Sequence, residues 1–217
     1  MRKLKPQSMH LVLAIALACL LMSAGTALAQ DRIALYGHAG VAMPGGALSK
    51  MEGVGASVGG GIAVRVHRDL ALRLGLDADM LEGRRLRSGE QAPGVNLHHF
   101  LVGAEWVFLR RDMPVVATAT LGAGSTLLDV ETFLVPQGQP GAGQTPLIRE
   151  SYASVHAGVQ IAYRPGRRVE FALGARAFRV FADEGETAAV ATLSDEVEPL
   201  GAVWTFPITL RLNLWLF

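Results

Sequence analysis

Apolar and polar residues alternate along most of the chain after residue 30. In Leu70–Met80 every second residue is apolar, and the residues between them include Arg73, Asp77 and Asp79. Strict alternation places one class of side chain on each face of an extended strand. The pattern therefore predicts strands that have one apolar face and one mixed face.

Eight such segments follow one another, separated by residues that favour turns. They are Ile33–Met43, Val54–Val66, Leu70–Met80, Val95–Leu109, Val115–Leu128, Ser151–Tyr163, Val169–Phe181 and Gly201–Phe217. No stretch after residue 30 holds the roughly 18 consecutive apolar residues of a membrane-spanning helix. The sequence predicts an all-β fold of eight antiparallel, up-and-down strands.

The connections between these segments alternate in length. The short ones are His67–Asp69, Arg110–Pro114 and Arg164–Arg168, and the long ones are Pro44–Gly53, Glu82–Gly94, Asp129–Glu150 and Ala182–Leu200. Short turns at one end and long loops at the other are typical of an outer-membrane β-barrel, with the turns in the periplasm.

A soluble ligand-binding barrel is the main alternative, since it too can have eight up-and-down strands. Its mixed face would meet water, where lysine and glutamate are abundant. Here Lys50 is the one lysine after residue 29, and the mixed face is rich in Gly, Ala, Ser and Thr. Small residues and a few charges suit the narrow interior of an eight-stranded barrel. The composition favours an eight-stranded transmembrane β-barrel with its apolar face toward lipid.

Residues 1–29 have the features of a cleaved secretory signal peptide. Three basic residues precede the apolar run Leu11–Met22, and Ala27 and Ala29 form a cleavage pattern. We predict a barrel domain over residues 30–217. It has 17 basic and 19 acidic residues, which argues against nucleic-acid binding, and Cys19 is lost with the signal peptide.

Aromatic residues fall near both ends of the predicted apolar faces. Trp106, Phe108 and Tyr163 are close to short turns, whereas Trp204 and Phe206 are close to a long loop. These are the two levels at which interfacial aromatic girdles belong.

Three stretches carry a resemblance to a known family: "HHFLVGAEWVFLRRDMPVVATATLGAGSTLL", "VHAGVQIAYRPGRRVEFALGARAFRVF" and the terminal "ITLRLNLWLF". They resemble outer-membrane β-barrels of the OmpA transmembrane-domain type. The resemblance implies that the last strand is read by the barrel-assembly machinery, with Leu212, Leu214, Trp215, Leu216 and Phe217 as the signal. The leucines run one residue out of phase with Phe217. We therefore expect either Phe217 past the membrane register or a bulge near Trp215.

Charged residues on the mixed face are the first candidates for a functional role. They are Arg65, Arg73, Asp77, Asp79, Glu105, Glu170, Arg176 and Arg211. Their signs nearly balance, so we expect an ion-paired network that plugs the lumen, because unpaired charges in a narrow interior are costly. The alternative is a gate that passes small ions when the pairs exchange partners.

A lipid A-modifying enzyme is the alternative of a different class. Ser154 and His156 share a strand face, as a nucleophile and a base would require, but both fall among lumen residues. His98 and His99 are adjacent, so their side chains point to opposite faces and cannot chelate one metal together. We predict no catalytic residue, no metal and no cofactor in the barrel.

The last long loop carries six acidic residues and no basic one: Asp183, Glu184, Glu186, Asp195, Glu196 and Glu198. The simplest interpretation is a solvated surface loop. Oxygen ligands of this kind also suit calcium, which could bridge the loop to lipopolysaccharide. We expect a monomer in contact with outer-membrane lipids and lipopolysaccharide, with an extracellular partner that the sequence does not identify.

Overall fold

The computed structural model describes residues 33–86, 89, 91–110, 114–133, 143, 145–146, 148–166, 168–192 and 197–216. The predicted signal peptide, Asp195, Glu196 and Phe217 lie outside the described residues.

The described residues form eight strands in a closed barrel. These are β1 (Ile33–Gly46), β2 (Gly55–His67), β3 (Leu70–Leu81), β4 (Val95–Arg110), β5 (Val115–Val130), β6 (Ile148–Tyr163), β7 (Val169–Phe181) and β8 (Ala202–Leu216). Each strand pairs antiparallel with its sequence neighbours, and β8 closes on β1. The predicted all-β, up-and-down barrel is confirmed.

Two short helical segments lie in the long connections: helix α1 (Leu48–Met51) and a 3-10 helix (Ala188–Thr192). None of the helices among the described residues is long and apolar enough to cross a membrane.

Several strands continue further into the long connections than the alternation predicts. β1 runs to Gly46, and β5 and β6 continue pairing up to Val130 and Ile148. Asp129 and Glu150, which were predicted to lie in a loop, are therefore strand residues. The inward side chains of Val130 and Ile148 are buried in an apolar cluster, and this burial favours continued strand pairing.

The outer face of the barrel is apolar and exposed. β8 presents Ile208, Leu210, Leu212, Leu214 and Leu216 outward, while the residues between them are buried. Trp106, Phe108 and Tyr163 are exposed on the same surface near the short turns. A contiguous apolar surface of this size marks contact with an apolar phase rather than with water.

The last strand keeps its register to its end. Its pairing with β1 runs without a shift from Val203 to Leu216. A bulge near Trp215 is therefore wrong for the described part of β8. Trp215 points inward and is 8% exposed, so of the proposed assembly signal only the three leucines face outward within the described residues.

The long-loop end of the barrel is closed by an apolar cluster, which we call the cap. Its buried members are Ala42, Leu48, Met51, Leu81, Leu86, Ala92, Val95, Leu97, Leu128, Val130, Ile148, Val180, Val190, Val197, Leu200 and Val203. The acidic connection after β7 thus packs in part into the cap, which corrects the expectation of a wholly solvated loop. Sequence alternation missed this contribution because Val190, Val197 and Leu200 lie outside the strands.

The lumen as candidate functional site

The lumen next to the short turns is filled by a tryptophan, a carboxylate and two arginines. Glu170 on β7 accepts hydrogen bonds from Arg164 and from the Asn213 amide. The Arg65 guanidinium lies 3.9 Å from the centre of the Trp215 ring, a cation–π distance. Aromatic and charged groups together occupy this layer.

The next layer is centred on the Glu105 carboxylate, on β4. Its Oε2 accepts hydrogen bonds from Arg73 at 2.7 Å and from Arg211 at 3.0 Å. Arg73 also stacks on the Tyr36 ring, with its Cζ 4.0 Å from the ring centre. One carboxylate therefore binds two guanidinium groups in an environment that is largely shielded from water.

The layer near mid-barrel joins Asp77, Arg176 and His38. Arg176 donates to Asp77 Oδ2 at 2.5 Å, and its second terminal nitrogen lies 2.9 Å from His38 Nε2. The side chains of His38 and Asp77 are almost fully buried. Burial of this ion pair without partners would be costly, so each member depends on the others.

The layer below the cap contains Asp79, His99 and Phe178. Asp79 Oδ2 accepts from the Thr205 hydroxyl at 2.8 Å and lies 3.5 Å from His99 Nε2, whereas His99 Nδ1 is 2.7 Å from Thr126 Oγ1. Phe178 is fully buried and stacks on the His99 ring at 4.4 Å between centroids. This layer separates the ion pairs from the cap.

Glycines of the mixed face make room for these large side chains. A Cβ on Gly75 would overlap the Tyr36 hydroxyl, and one on Gly59 would overlap Asp77 and His38. The glycine-rich stretch of β2 is thus explained by lumen packing.

The cavities beside Tyr36 and Arg176 are small. Two cavities of about 20 Å³ each lie between Tyr36, Arg73, Thr120 and Arg176. A cavity of that size holds about one water molecule. The described lumen therefore contains space for isolated waters at this level.

No protein-family model and no curated protein matches the sequence. Among solved structures, Neisserial surface protein A superposes with a TM-score of 0.57, at 13% identity over 85% of this chain and 97% of that one. The chain has the fold of an eight-stranded outer-membrane β-barrel. The N-terminal barrel domain of OprF from Pseudomonas aeruginosa matches at 12% identity over 85% of this chain and 98% of that one, with a TM-score of 0.43. Ail of Yersinia pestis matches at 12% identity over 85% and 99%, with a TM-score of 0.42.

The barrel brings most of the predicted lumen charges into contact, in layers along its axis. Within the described residues Asp79 contacts His99 and Thr205, and the Arg65 guanidinium lies over the Trp215 ring. Sequence reasoning missed Tyr36, His38, Arg164 and Asn213 as members of these layers. Tyr36, His38 and Asn213 are in phase with other inward residues of their strands, so alternation could have identified them.

Ser154 and His156 both point into the lumen and are 2% and 8% exposed. Ser154 Oγ and His156 Nδ1 make no hydrogen bond within the described part of the chain. His156 packs instead against Phe178, with ring centroids 5.3 Å apart. His99 is buried and His98 exposed, as the alternation predicts for adjacent residues.

The described acidic residues of the last loop have different partners. Asp183 caps the Gly185 amide, Glu186 accepts from the Tyr152 hydroxyl at 2.9 Å, and Glu198 pairs with Lys50 of another loop at 2.6 Å. Among the residues that the structure describes, no group of three or more metal-ligating side chains is assembled. A cation site in this loop stays a prediction, because Asp195 and Glu196 lie outside the described residues.

Glu52 is an isolated buried acid in the connection between β1 and β2. It follows α1, pairs with Gly83 through a backbone bridge and is 1% exposed. Neither carboxylate oxygen has a hydrogen-bond partner in good geometry among the described residues. Burial, and then the negative charge of Glu131, raise the pKa of Glu52 to about 9. A pKa in this range favours the neutral form of the Glu52 carboxyl at pH 7.

We expect the Glu52→Gln substitution to stabilise the barrel more at pH 8 than at pH 5. The native state holds a proton that the unfolded chain releases above its ordinary value of 4.5, so stability falls as the pH rises from there toward 9. Glutamine removes this dependence. Urea midpoints of the two proteins at both pH values measure it, with a difference on the order of 1–3 kcal/mol at pH 8. The exposed Glu82→Gln variant serves as the control, and equal midpoints for Glu52→Gln and wild type at pH 8 would contradict the prediction.

Proposed function

We propose that the protein resides in the bacterial outer membrane as a monomeric barrel with a lumen closed by ion pairs. Its role is structural, or one of surface interaction through the long-loop end. The apolar outer face supports the membrane location, because charge on such a face costs about 2–4 kcal/mol at the bilayer midplane. The fold shared with Neisserial surface protein A supports the choice of the outer membrane.

Two ion pairs that reach across the barrel are the main support for a closed lumen. Arg176 on β7 reaches Asp77 on β3, and Arg211 on β8 reaches Glu105 on β4. In each case the strands are four apart in a ring of eight, so the pairs cross the full diameter. Side chains that bridge the diameter at two levels narrow any water path through the barrel, which favours a plug over a channel.

The outward leucines of β8 are proposed as the part of the last strand that the assembly machinery contacts. Outer-membrane lipids and lipopolysaccharide are proposed as the surroundings of the barrel, and the surface partner of the loops is not identified. We propose no reaction for Ser154 and His156, because both are buried beneath the cap and away from the lipid-facing surface.

We expect the wild-type protein, purified from membranes and placed in a planar bilayer, to show no steady conductance. The double substitution Asp77→Ala, Arg176→Ala removes one cross-lumen pair, and we expect it to give brief openings of small conductance. The matched control is Asp129→Ala, Arg149→Ala, which removes a more exposed pair, 3.7 Å apart, at the loop end. Heat-modifiable gel mobility verifies folding of each variant. Steady, ion-selective openings of the wild type would replace the plug with a channel.

A further inference from the structure

Arg179 is a charged residue on the lipid-facing side of the barrel. It is exposed on β7 and shares its face with Phe171 and Leu173 of the same strand. It lies ten residues beyond Val169, where β7 begins beside a short turn. With the rise and tilt of barrel strands this is about 25 Å from that turn, which is the height of the apolar band. Arg179 therefore lies at the loop-side edge of the band.

Two aromatic rings flank the guanidinium group at this edge. The Arg179 Cζ is 4.9 Å from the centre of the Phe181 ring and 5.4 Å from that of Trp204, which pairs with Arg179 across β7 and β8. Trp204 is itself stacked on Phe206, with centroids 6.1 Å apart. The rings hold the cation over their faces, since ring quadrupoles attract it.

The Trp204 and Phe206 side chains pack against the backbone of β1. A Cβ on Gly45 would lie 2.5 Å from Phe206 Cε2 and 3.2 Å from Trp204 Cβ, which is too close. Gly46 has a positive φ of 62° and lies opposite Val203 in the register. The absence of a side chain at Gly45 leaves room for Trp204 and Phe206, and Trp204 in turn contacts Arg179.

The planar edge of this guanidinium has no acidic partner within the described residues, although the ring contacts shield its faces. Arg149, another exposed arginine at the same end, instead pairs with Asp129 at 3.7 Å. A guanidinium edge with free N–H donors matches the oxygens of a phosphate in bidentate geometry. The aromatic rings would pack against the apolar or sugar portion of the same molecule.

We propose that Arg179, Trp204 and Phe181 form a binding site for the phosphorylated headgroup of an outer-leaflet glycolipid. The inference rests on the proposed outer-membrane location. A soluble anion would approach through the neighbouring acidic connection, where Asp183, Glu184 and Glu186 repel it. A phosphate anchored in the membrane arrives laterally, at the level of Arg179. The headgroup oxygens then accept hydrogen bonds from the guanidinium edge.

Native mass spectrometry of the protein, purified from membranes in detergent and treated with a chelator of divalent cations, tests the site. The probes are bisphosphorylated lipid A, dephosphorylated lipid A and phosphatidylglycerol. We expect Arg179→Gln to weaken the binding of bisphosphorylated lipid A about tenfold. The Arg149→Gln variant should bind bisphosphorylated lipid A as tightly as wild type does. Dephosphorylated lipid A should bind wild type weakly, with an affinity similar to that of bisphosphorylated lipid A for Arg179→Gln.

Equal binding of bisphosphorylated lipid A by wild type and Arg179→Gln would overturn the site. Phosphatidylglycerol binding as tight as that of lipid A, with the same loss in Arg179→Gln, would overturn the glycolipid assignment. Trp204→Leu keeps the charge and removes a flanking ring, so a loss smaller than that of Arg179→Gln supports the arrangement. Membrane fractionation of cells tests the proposed location independently of lipid binding. Recovery of the protein outside the outer membrane would reject the proposed function without altering the binding result.

Discussion

Replacing Glu105 by leucine is expected to lower the free energy of unfolding by about 3–5 kcal/mol. The substitution leaves the Arg73 and Arg211 guanidinium groups, 13% and 7% exposed, without their shared carboxylate. Two cations of like charge then lie close together in a part of the lumen that is largely shielded from water. Urea titration of protein refolded into phospholipid vesicles, with the folded fraction scored by gel mobility, measures the loss.

The matched control is Glu198→Leu. Glu198 pairs with one cation, Lys50, at 2.6 Å, whereas Glu105 pairs with two, and the Glu198 side chain is 65% exposed. Exposed pairs contribute about 0–1 kcal/mol, so we expect a change of that size. Equal losses for Glu105→Leu and Glu198→Leu would show that the lumen pairs contribute no more than surface pairs, contrary to the expectation.

Replacing Phe178 by alanine is the second substitution expected to have a large effect, of about 3–5 kcal/mol. Phe178 is fully buried, and His99, His156 and the Arg176 guanidinium surround its ring at 4.4, 5.3 and 5.1 Å. Because hydrogen bonds to Thr126 and Asp77 hold His99 and Arg176 in place, these two neighbours cannot easily collapse into the space that the ring leaves. The same urea titration measures the loss.

Phe171→Ala is the control for this substitution. It lies on the same strand but is 52% exposed on the outer face, where lipid fills the space that the ring leaves. We expect the free energy of unfolding to fall by less than about 1 kcal/mol, because a single aromatic side chain has only a weak preference for the bilayer. A larger loss for Phe171→Ala than for Phe178→Ala would mean that lipid contact, and not lumen packing, dominates stability at this strand.

The outer face and the strand order could be predicted from the sequence because both are local. Alternation in Leu70–Met80 assigns each side chain to a face with no knowledge of its neighbours. The connections then place consecutive strands side by side. In an antiparallel, up-and-down arrangement this is enough to predict the order of the strands. The same reasoning placed Asp77, Glu105, Arg176 and Arg211 on the inner face.

Partner choice inside the lumen could not be predicted in the same way. Asp77 and Asp79 are two residues apart on one strand, yet Asp77 binds Arg176 whereas Asp79 binds Thr205. Which side chain lies opposite depends on how strands three or four places apart are staggered around the closed ring. The cap was missed for a related reason, because Val190 and Leu200 have no strand period to signal their burial.

The sequence by itself determined the two faces, the strand count and the end of the barrel that carries the long loops, since period and turn chemistry act over a few residues. Only the tertiary structure decided which charges pair across the lumen, that parts of the loops pack into the cap, and that Arg179 lies beside Trp204 and Phe181. Those contacts join residues far apart in the chain. Closure of the barrel brings them together, because it fixes the stagger and the distance between opposite strands.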